Sequence, residues 1–136
     1  MIKFLKNLFK NIFKSSNTEK IISVRGATTV ADDSIKEIEN KTKILLTEIL
    51  SSNNIQIRDI LFVIFSSTSD LTSHYPATAA RTQLGLTETA LFSTIEPNID
   101  GSLDKCIRIL LIFKSKSNLA KPKYIYQEGA KNLRND

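Results

Sequence analysis

The sequence is poor in the residues that usually carry covalent or metal chemistry. Among 136 residues there is one cysteine, Cys106, one histidine, His74, and no tryptophan. A single cysteine excludes an internal disulfide and fits a reducing compartment. Cys106 lies in an apolar stretch and reads as a small core residue rather than a nucleophile. Without a Cys/His cluster there is little ground for a zinc site, and no metal or cofactor is expected. Neither of the glycine-rich phosphate-binding patterns occurs, so nucleotide binding has no motif to stand on. No serine combines a histidine base with a strained elbow. Residues 1–20 are too short and too charged to span a bilayer.

What is present begins with charge. The formal net charge is +5, but Lys3, Lys6, Lys10, Lys14 and Lys20 against Glu19 place +4 of it in residues 1–20, leaving +1 for the rest. The basic balance therefore belongs to the leader and gives the domain no nucleic-acid partner. At 100° per residue, Ile2, Phe4, Leu5, Leu8, Phe9, Ile12 and Phe13 share one broad arc, and Lys3, Lys6, Lys10 and Lys14 cluster opposite. This pattern fits a helix on a membrane surface or an organelle-targeting segment. The plainer reading is a solvated extension that the domain does not need.

Residues 15–18 read as a linker, and the domain proper spans 21–136. Residues 21–27 predict a strand, and 28–33 a polar turn in which Asp32 or Asp33 caps the next helix. Ile35, Ile38, Leu45, Leu46 and Ile49 predict an amphipathic helix to about Leu50, broken by two serines and two asparagines. The apolar run 60–65 predicts a central strand with both faces covered. A loop over 66–70, a helix over 74–84 ending at Gly85, and strands over 89–95 and 106–114 follow. The order β-α-β-α-β-β describes a compact α/β or α+β domain, sheet on helices. The tail from Lys121 looks too polar to join the core.

Arginine is scarce, five residues against 14 lysines, so each suggests a position needing a planar, bidentate donor. Arg108 is the sharpest case, because every other residue from 107 to 113 is Ile, Leu or Phe. An unpaired buried guanidinium would cost roughly 3–5 kcal/mol, so Arg108 either faces water at an edge or holds an anion in a polar pocket. Arg25 ends another short apolar strand. Glu96, beside an arginine pair, could accept a hydrogen bond from a substrate hydroxyl, and the phenol of Tyr126 could donate to a carboxylate. The set is rich in donors and poor in nucleophiles, which fits binding or a reaction driven by charge stabilisation and orientation.

The segments Val24-Arg25-Gly26-Ala27-Thr28-Thr29-Val30, Asp70-Leu71 with Tyr75-Pro76-Ala77 and Arg81, Glu96 with Leu103-Asp104-Lys105-Cys106-Ile107-Arg108, and finally Tyr126, resemble the monofunctional chorismate mutases of the Bacillus type. The similarity covers about residues 21–134, and the leader has no counterpart in it. The resemblance implies an α+β pseudo-barrel homotrimer with active sites between subunits. It implies the Claisen rearrangement of chorismate to prephenate in phenylalanine and tyrosine biosynthesis, without a cofactor. Carried over, Arg108 would contact the ether oxygen and a carboxylate, Arg25 and Tyr126 carboxylates, and Glu96 the ring hydroxyl. Ser93, Tyr75, Ala77, Arg81, Leu133 and Arg134 would complete the binding site. Thr78 stands where the Bacillus type has a lysine, which removes a positive charge from the mouth of the cleft. The implied location is the cytoplasm, or a plastid if the leader is a targeting segment. The alternatives are a carboxylate-binding trimer of the same fold, either an imine or enamine deaminase or a non-catalytic regulatory binder.

Overall fold

The computed structural model describes residues 1–6, 19–116 and 121–134. Its three richest aliphatic runs are all long strands, as β-branched side chains packed on a pleated surface favour. They are β1 (Lys20–Thr29), β2 (Ile60–Ser67) and β4 (Cys106–Ser115). β4 pairs antiparallel with β1 along its whole length, from Lys20 opposite Ser115 to Thr29 opposite Cys106, and antiparallel with β2 on its other side. The edge strand β3 (Ala90–Ile95) runs parallel to β2, and a two-residue strand β5 (Ile125–Tyr126) runs parallel to β1. The order is β3-β2-β4-β1-β5, a mixed sheet that places Arg108 near its middle.

Two helices cover one face. α1 (Ile35–Ser52) turns Ile38, Thr42, Leu45, Leu46 and Ile49 inward, but Ile35, in its first turn, is exposed. Its cap is Ser34, whose hydroxyl accepts from the Glu37 N–H at 3.3 Å, and not Asp32 or Asp33. The capping side chain must sit immediately before the first helical residue, and Asp33 is one position too early. Asp33 instead accepts from the N–H groups of Thr72 and Ser73 and from the Thr72 hydroxyl, pinning the loop ahead of the second helix. α2 (Pro76–Leu84) starts at its proline rather than at His74, because the residue before a proline is held out of the helical region. It ends at Gly85, whose φ of 74° is left-handed.

Between helices and sheet lie Val24, Leu45, Leu46, Ile49, Val63, Phe65, Ile109, Leu111 and Phe113, all essentially buried. Gly26 is required by this packing: a Cβ there would meet Ile49 Cδ1 at 2.6 Å and the Ile125 carbonyl oxygen at 3.0 Å. α1 and β5 close on β1 only because that carbon is missing.

The other face corrects two expectations. β2 is not covered on both sides: Ile60, Val63 and Phe65 are buried, whereas Phe62 is 39% exposed and Ile64 half-buried. Leu110 and Ile112 of β4 and Phe92 of β3 share this open face, so among the described residues its apolar stripe is left partly uncovered. The C-terminal tail does join the core. Ile125 packs with the helix-side cluster, while Ala130, with Tyr126 and Leu133, packs on Ala27 and Cys106 across one end of the open face. A two-residue strand is too short to show a period of two, and a buried alanine gives no signal among polar neighbours.

The Asp33 clamp has a pH consequence. The Ser73 N–H above all, opposed by partial burial and then aided by Thr72, holds the Asp33 carboxyl below its ordinary value of 3.8. A depressed folded pKa contributes stability that is present above the unfolded value and lost as pH falls through the folded one. The urea midpoint of the unaltered chain should thus fall more steeply below about pH 4 than that of Asp33→Asn. Parallel slopes would dismiss the clamp.

Candidate active site

Strand register brings the arginines together. Ala27, Arg108 and Ser66 lie side by side across β1, β4 and β2, and Ser66 in turn opposes Thr94 of β3. Side chains alternate along a strand, so Arg25, Arg108 and Glu96 point to the same open face. β5 adds Tyr126 beside Ala27. Together Arg25, Glu96, Arg108, Tyr126, Leu133 and Arg134 line a cleft of about 360 Å³. This is within the usual range for small-molecule sites.

The charges in this cleft are unbalanced. Three guanidiniums face one carboxylate, so an anion is the ligand the cleft favours. Arg108 Nε lies 3.6 Å from Glu96 Oε1, an ion pair beyond hydrogen-bond range. That Nε is shielded from solvent and has no hydrogen-bond partner. A shielded, unpaired donor is costly to maintain, and a ligand oxygen placed in the cleft would satisfy it. Glu96 is fixed from behind by its own N–H, which donates to the Ser67 carbonyl at 2.8 Å. Cys106, two residues from Arg108, is fully buried, and burial pushes its thiol up, with Arg108 opposing only in part. It is a buried core residue, and burial disfavours the thiolate that a nucleophile needs.

The remaining expected site residues lie elsewhere. Ser93 opposes Phe65, which is in the helix-side core, so Ser93 falls on the other side of β3 from Glu96. There it lines a larger cavity of about 600 Å³ together with Tyr75, His74, Ser67 and Leu71. His74 Nε2 lies 3.2 Å from Glu39 Oε1 of α1, without hydrogen-bond geometry. Ala77 is buried in the core, Thr78 is half-buried on α2, and Arg81 is exposed on the same helix. One chain thus presents two separate clefts, each with part of the expected set.

Several supporting contacts gave no sequence signal, although Thr29, Asp70, Lys105 and Cys106 lie in the segments that mark the resemblance. Thr68 Oγ1 accepts from the Cys106 N–H at 2.9 Å, and Asp70 Oδ2 from the Lys105 N–H at 2.8 Å, fixing the chain as it enters β4. The Gly129 N–H donates to Thr29 Oγ1 at 2.9 Å, and Lys41 Nζ to Glu128 Oε1 at 2.7 Å, holding the segment that carries Tyr126 and Leu133. Each pair joins residues far apart in sequence, which no local spacing reveals.

The family description "Chorismate mutase type I" matches residues 21–136. The chain belongs to this family. Chorismate mutases are isomerases of aromatic amino-acid biosynthesis. The chain is 38% identical over 114 residues to "Chorismate mutase AroH" of Thermus thermophilus, covering 83% of this chain and 93% of that protein. It is 34% identical over 116 residues to "Chorismate mutase AroH" of Bacillus subtilis (strain 168), covering 85% and 91%. The structure of "Chorismate mutase from Clostridium thermocellum Cth-682" superposes with a TM-score of 0.79 at 40% identity, over 82% of this chain and 99% of that one. The α+β chorismate mutase fold is therefore present, and the family match begins just after the leader.

Proposed function

We propose that this chorismate mutase family member converts chorismate to prephenate in the cleft of Arg25, Glu96, Arg108 and Tyr126. The observation that carries this is the Arg108 Nε, shielded and unpaired, in a cleft with excess positive charge. A pericyclic rearrangement needs no acid, base or nucleophile. It needs a flexible dianion held in a compact chair-like geometry, which is an orientation effect. Arg25 and Tyr126 hold carboxylates and Glu96 the ring hydroxyl. As the C–O bond breaks, negative charge gathers on the ether oxygen, and the fixed Arg108 guanidinium meets it there more strongly than in the ground state. Loss of chorismate ultraviolet absorbance with prephenate appearing tests the assignment; saturable binding without turnover would sink it. The family match disfavours a deaminase or a non-catalytic binder.

The two separate clefts support the view that the working site is shared between copies in a homotrimer. The open face, with Phe62, Ile64, Phe92, Leu110 and Ile112, is the surface we assign to that contact, closing the sheets into a pseudo-barrel. The wall carrying Ser93 and Tyr75, with Thr78 and Arg81 following on α2, then meets the arginine cleft of a neighbour. With Thr78 at the mouth, Thr78→Lys should lower KM several-fold through added attraction for the dianion and change kcat little. An unchanged KM would remove Thr78 from the mouth.

The leader supports a further contact, with an anionic membrane surface, by an enzyme working in the cytoplasm. Residues 2–6 are helical with Met1, Ile2 and Phe4 strongly exposed, and residues 7–18 lie outside the described residues. Among the described residues no helix is long and apolar enough to cross a membrane. Sedimentation with anionic vesicles, but not neutral ones, and its loss on removing residues 1–20, is the expected result.

A further inference from the structure

Arg25 and Arg108 are held in different ways. Arg108 has a carboxylate, Glu96, at 3.6 Å. Among the described residues Arg25 has no carboxylate within ion-pair distance, and its Cζ lies 4.8 Å from the centroid of the Tyr124 ring. The parallel pairing explains the contact. Gly26 opposes Ile125 and Ala27 opposes Tyr126, so Arg25 and Tyr124 each precede the ladder by one step on adjacent segments of the same chain.

Tyr124 is itself fixed through its neighbour. The side chain of the fully buried Asn53, at the end of α1, clasps Lys123: Oδ1 accepts from the Lys123 N–H at 2.7 Å and Nδ2 donates to the Lys123 carbonyl at 2.9 Å. The same Nδ2 donates to the Ile49 carbonyl at 2.9 Å. A rigid helix end thereby sets the backbone from which the Tyr124 ring projects.

We propose that Tyr124 is a positioning residue for Arg25, presenting the guanidinium to a substrate carboxylate without neutralising it. The physical distinction is between two kinds of support. A carboxylate beside Arg25 would hold it in place but compete with the incoming anion for the same donors. An aromatic face attracts the cation through its quadrupole, restricts its rotamers, and leaves the planar edge of N–H donors free. This inference rests on the reading that Arg25 takes a carboxylate of chorismate.

The test is steady-state kinetics on the full chain. Tyr124→Leu keeps bulk but removes the ring face, and should raise KM for chorismate ~2–5-fold, the factor expected of one exposed cation–π contact, with kcat little changed. Tyr124→Phe keeps the ring and should keep the KM of the unaltered chain. In an Arg25→Ala background Tyr124→Leu should add nothing, since the cycle isolates the pair. Thermal melts guard against a merely structural effect, which Phe would not rescue selectively in KM. An unchanged KM in Tyr124→Leu, or an equal rise without Arg25, overturns the positioning role while wild-type turnover still stands. An unaltered chain that neither binds nor turns over chorismate overturns both readings together.

Discussion

Arg108→Ala is expected to lose ~10²–10³-fold in kcat, equivalent to about 3–4 kcal/mol of transition-state stabilisation, or more. The size follows from where the group sits. Its Nε is removed from solvent and unpaired, and the strand around it, from Ile107 to Phe113, is otherwise aliphatic or aromatic. The Arg108 side chain is 39% exposed in the single chain. It is substrate filling the cleft that would exclude water and let the fixed charge act on the developing negative charge with little screening. KM should also rise, because Glu96 then faces a dianion without its counter-charge. Arg108→Lys should recover only part of the loss: an ammonium restores charge but not the planar fork. Single-turnover and steady-state rates on chorismate check this. A variant with near-normal kcat would refute the role assigned to Arg108.

Phe62→Asp is the second large expected effect, and it acts through assembly. Phe62 is 39% exposed on the open face, so an isolated subunit should tolerate the change and fold. In the proposed trimer the same position would bury a carboxylate among apolar side chains, at a cost of several kcal/mol per interface unless it is protonated. Sedimentation should show the unaltered chain at three times its 15.3 kDa subunit mass and the variant at lower mass. Activity should fall with assembly, because Tyr75, Ser93 and Arg81 would no longer meet the arginine cleft of a neighbour. A variant that stays trimeric and active would remove the open face from the interface. A monomeric variant of full activity would show that one chain suffices.

These two expectations draw on different amounts of sequence information. The anomaly of Arg108 is visible in the letters alone, since a guanidinium in an aliphatic strand demands water or an anion whatever the fold. The helices were legible too, through the spacing of Ile38, Leu45, Leu46 and Ile49 and through the stop at Gly85. The cap was misread because adjacent Asp32, Asp33 and Ser34 all qualify chemically, and only the first helical turn selects among them. Ile125 and Ala130 were hidden because their burial comes from partners on β1, α1 and β4, about a hundred or fewer residues away along the chain, and not from any local periodicity.

By itself the sequence determined the order of the elements through β4, the excess of donors over nucleophiles, and the segments that mark the family, because propensity, periodicity and side-chain chemistry are local properties. Tertiary structure alone decided which face each residue serves. Register across β1, β4, β2 and β3 puts Glu96 with Arg108 yet sends Ser93 to the opposite side, and the parallel pairing of β5 with β1 sets Tyr124 against Arg25. The reason is geometric: alternate residues of a strand point opposite ways, and only pairing with distant strands determines what each one meets.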